Sequence, residues 1–222
     1  MKFSNFWRDI MLLKDLRTEV IKCCRKLADN QLTPGTTGNV SALNREEGLM
    51  AISPSGLEYH DMTVEEVVVM DLDGNVIEGK GAPSSEWPLH LKCYQHRQDL
   101  AGVVHTHSIY STIFSCLNQS IEPVHYMIAF SGLRVPCAEY ARPGSEELAV
   151  KAVEELENYN AVLLANHGLL TAGKSLREAF VTAEQVEFVA EIYYKTKALA
   201  EPVIISDQEM SAIINQLGNY GR

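Results

Sequence analysis

The 222-residue chain predicts an α/β fold in which helices cover a mixed, largely antiparallel sheet. Three observations carry this. Stretches with helical and with strand periodicity interleave along the chain. Several strand-like stretches lie close enough to form hairpins, one of them around Asp73-Gly74. No repeat, low-complexity linker or shift of composition divides the chain, so a single domain over residues 1–222 is expected.

The elements follow in order. A helix is expected over about 12–29, where Leu13, Leu16, Val20, Ile21 and Leu27 fall near one face, and Pro34-Gly35 stops it. Val40–Leu43 and Leu49–Ser53 read as short strands. Thr63-Val-Glu-Glu66 has capping-box spacing, and Val67–Asp71 and Asn75–Ile77 flank the Asp73-Gly74 turn. The next helix should start at Ser84 or Ser85 and run to about Arg97, with Pro88 tolerated in its first turn. Strands are expected around 101–106, 124–130 and 134–137. Ser145 caps a helix to about Asn158, and Ala161–Ala165 is a buried strand. Ser175-Leu-Arg-Glu178 is a capping box opening a helix to about Leu199, and Ser206-Asp-Gln-Glu209 opens the last.

Composition narrows the function classes. Hydrophobic content of 46% and charged content of 22% suit a soluble globular protein with a sizeable core. The net charge of −10 comes without a basic run, which argues against nucleic acid or an anionic membrane as partner. A phosphorylated small molecule stays compatible, because backbone N–H groups and hydroxyls can hold a phosphate locally. Five cysteines (Cys23, Cys24, Cys93, Cys116, Cys137), with no CxxC pair, read as reduced thiols of a cytoplasmic protein. Met1–Asp9 carries charges within its apolar part, unlike a signal peptide, and no apolar stretch reaches transmembrane length.

Histidines carry the chemistry. His105 and His107 are spaced i, i+2 behind Val103-Val104, so on a strand both imidazoles point to one face. His167 ends the apolar run Ala161-Val-Leu-Leu-Ala-Asn-His167 and offers a third imidazole from another strand end. Three protein ligands with an open position characterise a catalytic zinc rather than a structural one. An HxH pair alone is a weak signal, and a lone His in an apolar segment is usually structural. Glu86 follows Ser84-Ser85 at a helix start: a capping carboxylate is the ordinary reading, a fourth ligand or general base the functional one. Pro34-Gly-Thr-Thr-Gly-Asn-Val-Ser41 and Ser53-Pro-Ser-Gly56 are small-residue turns that let a ligand approach the backbone, although each alone is an ordinary turn. Tyr126, in an expected apolar strand, is by default a core tyrosine, and next to a metal-held substrate its phenol can act as acid or base.

Taken together, these segments resemble the class II aldolase/adducin family. The resemblance rests on Gly35-Thr-Thr-Gly-Asn-Val-Ser41, Ser53-Pro-Ser-Gly56, Pro83-Ser-Ser-Glu-Trp87, Val103-Val-His-Thr-His107, Val124-His-Tyr-Met-Ile128, Pro136-Cys-Ala-Glu-Tyr140 and Asn166-His-Gly168, in family order from about residue 12. Residues 1–11 read as an N-terminal extension. The family implies a three-layer α/β/α fold and one Zn2+ per subunit held by His105, His107 and His167, with Glu86 as resting ligand and acid/base. It implies a substrate phosphate bound by Thr36, Gly38, Asn39, Ser55, Gly56, Ser84 and Ser85. It also implies Tyr126 as proton donor or acceptor reaching in from a neighbouring subunit, Tyr220 near the aldehyde, and a four-fold symmetric homotetramer. Two departures, Arg142-Pro143-Gly144 and a shortened Phe130-Ser-Gly-Leu133 turn, fall near the aldehyde end.

The implied reaction is reversible cleavage of L-fuculose 1-phosphate or a related ketose 1-phosphate to dihydroxyacetone phosphate and L-lactaldehyde through an enediolate. A lysine Schiff base would do the same work, but no lysine lies within the matched segments. The same scaffold also serves an L-ribulose 5-phosphate 4-epimerase and a methylthioribulose 1-phosphate dehydratase. A non-catalytic adducin-like module would lack the metal ligands, whereas all three histidines and Glu86 are present.

Overall fold

The computed structural model describes residues 11–219. Its centre is an eight-stranded sheet of β1 (Asn39–Asn44), β2 (Leu49–Ile52), β3 (Val68–Asp71), β4 (Val76–Glu78), β5 (Gly102–Thr106), β6 (Cys137–Ala138), β7 (Ala161–Leu164) and β8 (Gly168–Gly173). The strand order is β4-β3-β2-β1-β5-β8-β7-β6. Every neighbouring pair is antiparallel except β6 and β7. The expected mixed, largely antiparallel sheet is therefore present.

Helices cover both faces. One core joins α1 (Lys14–Asp29), α3 (Ile109–Cys116), α5 (Leu176–Leu199) and α6 (Asp207–Asn219) to Val40, Ala42, Val104 and Leu169. The other joins α2 (Trp87–His96) and α4 (Glu146–Glu155) to Leu43, Val103, Val162 and Leu170. Neighbours such as Val103 and Val104 enter opposite cores because a strand alternates its faces. His105 thus shares the face of Val103, beneath α2 and α4.

Several expected boundaries shift. α2 begins at Trp87, not at Ser84 or Ser85, and Glu86 is its N-cap residue. The Ser84 N–H is held by the Ser53 carbonyl at 3.0 Å, and Pro54 bridges Pro83, so the chain stays extended until it clears β2. Pro88 then sits in the first turn, where its missing N–H costs no bond. The stretch 124–130 is not a strand: Tyr126–Phe130 forms a 3-10 turn, which His125 caps by accepting the Met127 N–H at 3.3 Å. The Thr63 box does form, with Glu66 Oε2 accepting the Thr63 N–H at 2.8 Å, but it closes a turn and not a helix. Of the expected strand at 134–137, Val135 makes an isolated bridge to Ile121 and only Cys137–Ala138 joins the sheet.

Two elements escape the sequence patterns. Ile109–Cys116 is rich in serine and β-branched residues, yet it is helical because Glu187 of α5 caps it from outside. The Glu187 carboxylate accepts the Tyr110 N–H at 2.8 Å, the Ser111 N–H at 2.9 Å and the Ser111 hydroxyl at 2.7 Å. β8, Gly168-Leu-Leu-Thr-Ala-Gly173, has a glycine at each end and is held by β5 and β7 on its two edges. Cys23, Cys24 and Cys93 are buried, Cys137 is half-buried and Cys116 exposed, all as free thiols.

Candidate active site

The site forms where the end of β5, the β7–β8 turn and the start of α2 meet. His105 lies within β5, His107 just beyond it, and His167 in the turn between β7 and β8. That turn places Asn166 in the left-handed region, φ 55°. Antiparallel pairing of β5 with β8 brings His107 and His167 to the same end of the sheet. Gly168 permits the approach: a Cβ there would stand 2.4 Å from the Thr106 carbonyl oxygen and 2.9 Å from the His107 ring. Gly38 serves similarly, since a Cβ would fall 2.9 Å from the His105 carbonyl oxygen.

The three imidazoles converge, with ring centroids 4.7–5.0 Å apart and edge-on orientations. His105 Nε2 lies 3.0 Å from His107 Nε2. Glu86 completes the cluster: its Oε2 is 3.2 Å from His105 Nε2, and its Oε1 is 3.4 Å from His167 Nε2. His105 Nδ1 lies 3.0 Å from the Leu169 carbonyl oxygen, which can only accept. The ring proton therefore sits on Nδ1, leaving the Nε2 lone pair facing the cluster.

Burial keeps these rings neutral. Desolvation and then the neighbouring His167 and His107 hold His105 well below the ordinary imidazole range, opposed by the bond to Leu169. His107 is lowered by burial and by His167, and His167 by burial, with Glu86 opposing in both cases. Neutral imidazoles carry the lone pairs that a metal ion needs.

The cluster fits a divalent ion. Three of its spacings, 3.0–3.4 Å, are close to the roughly 3.3 Å edge of a tetrahedron with metal–nitrogen bonds of about 2.0–2.1 Å, and the ligand atoms of the three histidines all lie within 4.8 Å of one another. Glu86 Oε1 and His167 Nδ1 are buried without a hydrogen-bond partner, a deficit a protein rarely leaves without purpose. His105, His107 and His167 form the one histidine, cysteine or carboxylate group with metal-ligand spacing among the described residues.

The other expected residues sort unevenly. The turns 53–56 and 83–85 lie side by side through the Pro54–Pro83 bridge, and Ser53 also accepts the Val40 N–H at 3.1 Å, tying in the 34–39 loop. Ser55, Gly56 and Ser85 are exposed, Thr36 is half-buried and Ser84 is buried. The Asn39 side chain is engaged elsewhere: Nδ2 donates to Glu86 Oε2 at 2.9 Å, and Oδ1 lies 2.6 Å from His90 Nε2. Tyr126 is 48% exposed, stacks near His125 and makes no hydrogen bond to the histidine cluster within the chain. Tyr220 and residues 1–10 lie outside the described residues.

The sequence reading missed His90, Ser41 and Tyr94, all fully buried behind Glu86. A signal was present: Glu86, His90 and Tyr94 are spaced i, i+4, i+8, one side of a helix. Beside His107 an apolar hollow of about 420 Å³ is lined by Ile109, Thr112, Ile113, Cys116 and Leu117. A larger hollow of about 680 Å³ between α1 and α5 contains none of the cluster residues. No helix among the described residues is long and apolar enough to cross a membrane.

Comparison with known proteins agrees with this geometry. The profile of the "Class II Aldolase and Adducin N-terminal domain" matches residues 18–194. The chain is 45% identical over 212 residues to a 5-deoxy-D-ribulose 1-phosphate aldolase of Bacillus thuringiensis serovar kurstaki, covering 96% of this chain and all of the relative. It is 39% identical over 208 residues to the L-fuculose phosphate aldolase of Escherichia coli K12, covering 93% of this chain and 95% of that one. A solved L-fuculose 1-phosphate aldolase superposes with a TM-score of 0.90 at 45% identity, over 92% of this chain and 96% of that one. The chain belongs to the class II aldolase/adducin family, whose aldolases are metal-dependent lyases.

Proposed function

We propose that the protein reversibly cleaves a deoxyketose 1-phosphate between C3 and C4, releasing dihydroxyacetone phosphate and a short aldehyde. L-Fuculose 1-phosphate would release L-lactaldehyde, and 5-deoxy-D-ribulose 1-phosphate would release acetaldehyde. Matches at 45% identity carry each of the two substrate names, and the apolar hollow beside His107 suits a methyl-ended aldehyde in either case. The observation that carries the reading is Glu86, a buried carboxylate set between His105 and His167 with one oxygen unpaired.

A divalent ion held by His105, His107, His167 and Glu86, Zn2+ in this proposal, supplies Lewis-acid polarisation of the substrate's oxygens. The chain does the rest. Thr36, Gly38, Ser55, Gly56, Ser84 and Ser85 hold the phosphate with hydroxyls and N–H groups. Asn39, through its side chain, holds Glu86. Tyr126 of a neighbouring subunit takes the proton from the C4 oxygen as the C3–C4 bond breaks, and the electron pair stays on C3 as an enediolate. Glu86, having taken the proton of the substrate's C3 hydroxyl, delivers it to C3. Four copies around a four-fold axis complete the sites, which accounts for an exposed Tyr126.

The test is a metal-loaded assay with L-fuculose 1-phosphate, 5-deoxy-D-ribulose 1-phosphate and L-ribulose 5-phosphate. Release of dihydroxyacetone phosphate from either deoxyketose is expected. Epimerisation of L-ribulose 5-phosphate without fragment release would replace the aldolase reading, and full activity after complete removal of divalent metal would overturn it.

A further inference from the structure

Behind Glu86 a line of buried polar side chains runs into the protein away from the histidines. Glu86, His90 and Tyr94 project from one side of α2 and its cap, and Asn39 and Ser41 from one face of β1. The two spacings match, since four helical residues rise about 6 Å and two strand residues about 6.6 Å. Successive rungs therefore meet. Asn39 Nδ2 donates to Glu86 Oε2 at 2.9 Å. His90 Nε2 lies 2.6 Å from Asn39 Oδ1, and His90 Nδ1 2.7 Å from Ser41 Oγ. Ser41 Oγ in turn lies 2.7 Å from the Tyr94 hydroxyl. His90, Ser41 and Tyr94 are 0% exposed and Asn39 is 3% exposed.

One end of this line fixes every proton in it. An ionised carboxylate accepts only, so Asn39 turns its amide nitrogen to Glu86 and its oxygen to His90. That oxygen needs a donor, which makes His90 the Nε2–H tautomer. The bare Nδ1 then accepts the Ser41 hydroxyl proton, and Ser41 accepts from Tyr94. Reversing any one bond would place two donors or two acceptors face to face at a buried site.

We propose that His90 is a positioning residue for Glu86: by orienting the Asn39 amide it pins Oε2 and leaves Oε1 as the free oxygen that exchanges a proton with substrate C3. The inference rests on the aldolase reading above. His90 touches neither substrate nor metal ligand in this role. It acts through Asn39, so its loss should slow the Glu86 step more than it weakens substrate binding.

The test compares His90→Phe, His90→Gln and Tyr94→Phe in the metal-loaded enzyme, by exchange of the C3 proton of dihydroxyacetone phosphate with solvent and by metal content. His90→Phe should lower the maximal exchange rate by about 10–100-fold, the usual effect of removing an outer hydrogen-bond partner, with KM and metal content changed by less than about threefold. His90→Gln keeps an N–H donor for Asn39 and should regain most of the lost rate. Tyr94→Phe should cost about two- to fivefold, being farthest from Glu86. Exchange by His90→Phe within about twofold of the unaltered enzyme would overturn the inference, as would a His90→Gln variant no faster than His90→Phe. Nitrogen-15 NMR of the metal-free unaltered protein adds a readout independent of turnover: His90 should carry its proton on Nε2, and a proton on Nδ1 would overturn the inference even if His90→Phe does not fold. If the unaltered enzyme exchanges no C3 proton, the aldolase reading fails, while the tautomer still decides the relay.

Discussion

Two regions of this protein bury polar groups in opposite ways. On α1, Arg17 is 1% exposed and every part of its guanidinium is engaged. Nε donates to Leu12 O at 2.8 Å, Nη1 to Val64 O and Val67 O at 3.0 Å each, and Nη2 to Glu78. At the histidine cluster, Glu86 Oε1 and His167 Nδ1 are buried with no hydrogen-bond partner. A buried charge bonded through all three of its nitrogens is a staple, here between α1 and the β3–β4 hairpin. A buried cluster with bonds left over has been kept ready for something that arrives later.

The strongest way to break that comparison is to remove a ligand. His105→Ala should abolish tight binding of a divalent metal ion and lower kcat/KM by about 10³-fold or more, as loss of Lewis-acid help costs several kcal/mol, while the protein still folds. Metal analysis and circular dichroism check it, and unchanged metal content would remove His105 from the ligand set. Glu86→Gln should bind substrate but lower C3 proton exchange by about 10²–10⁴-fold, the range of an acid/base group. Normal exchange would leave Glu86 without that role.

Arg17→Ala should do the converse. Loss of the guanidinium leaves the Leu12, Val64 and Val67 carbonyls without their donor, at about 1–3 kcal/mol for each one that stays buried, so denaturant unfolding should show a large loss. The activity of each folded molecule should stay unchanged, and a specific loss of activity would blur the distinction between staple and site.

The last expected effect, confined to acid pH, is on stability. Burial and the nearby His105 push the His90 ring down to about 3, against an ordinary 6.5, with Glu86 opposing. Between these values the unfolded chain binds a proton that the folded one refuses, so stability rises with pH across that window and falls as pH drops through it. One such group contributes a slope of at most about 1.4 kcal/mol per pH unit. Metal-free His90→Gln should show a shallower fall below pH 6.5 than metal-free unaltered protein; an equal slope would show that His90 does not titrate there.

Much of the frame was legible because it is local. The helix at 14–29, the Asp73-Gly74 hairpin and the Ser145 and Ser175 caps follow from periodicity and from side chains that bond a neighbouring N–H. In the caps, Ser145 accepts the Leu148 N–H at 3.1 Å and Ser175 the Glu178 N–H at 3.2 Å. What was misread depends on distant partners. α3 needs Glu187, a residue of α5, and nothing within Ile109–Cys116 announces it. The stretch 124–130 looked like a strand from its apolar content, but it pairs with no strand of the sheet and coils under the His125 cap instead. Asn39 looked like a phosphate donor because it sits in a glycine loop, and β1 carries it beneath Glu86.

By itself the sequence determined that His105 and His107 share a face, because alternation along a strand needs no partner. It also determined that Glu86 stands at a helix start, with His90 and Tyr94 in line along that helix. Only the tertiary structure decided that His167 meets them, because that depends on β8 pairing with β5 and on a glycine at 168 that lets the turn approach Thr106. It also decided which oxygen of Glu86 is held and which is free, because that follows from an amide on β1 that no spacing within α2 can specify.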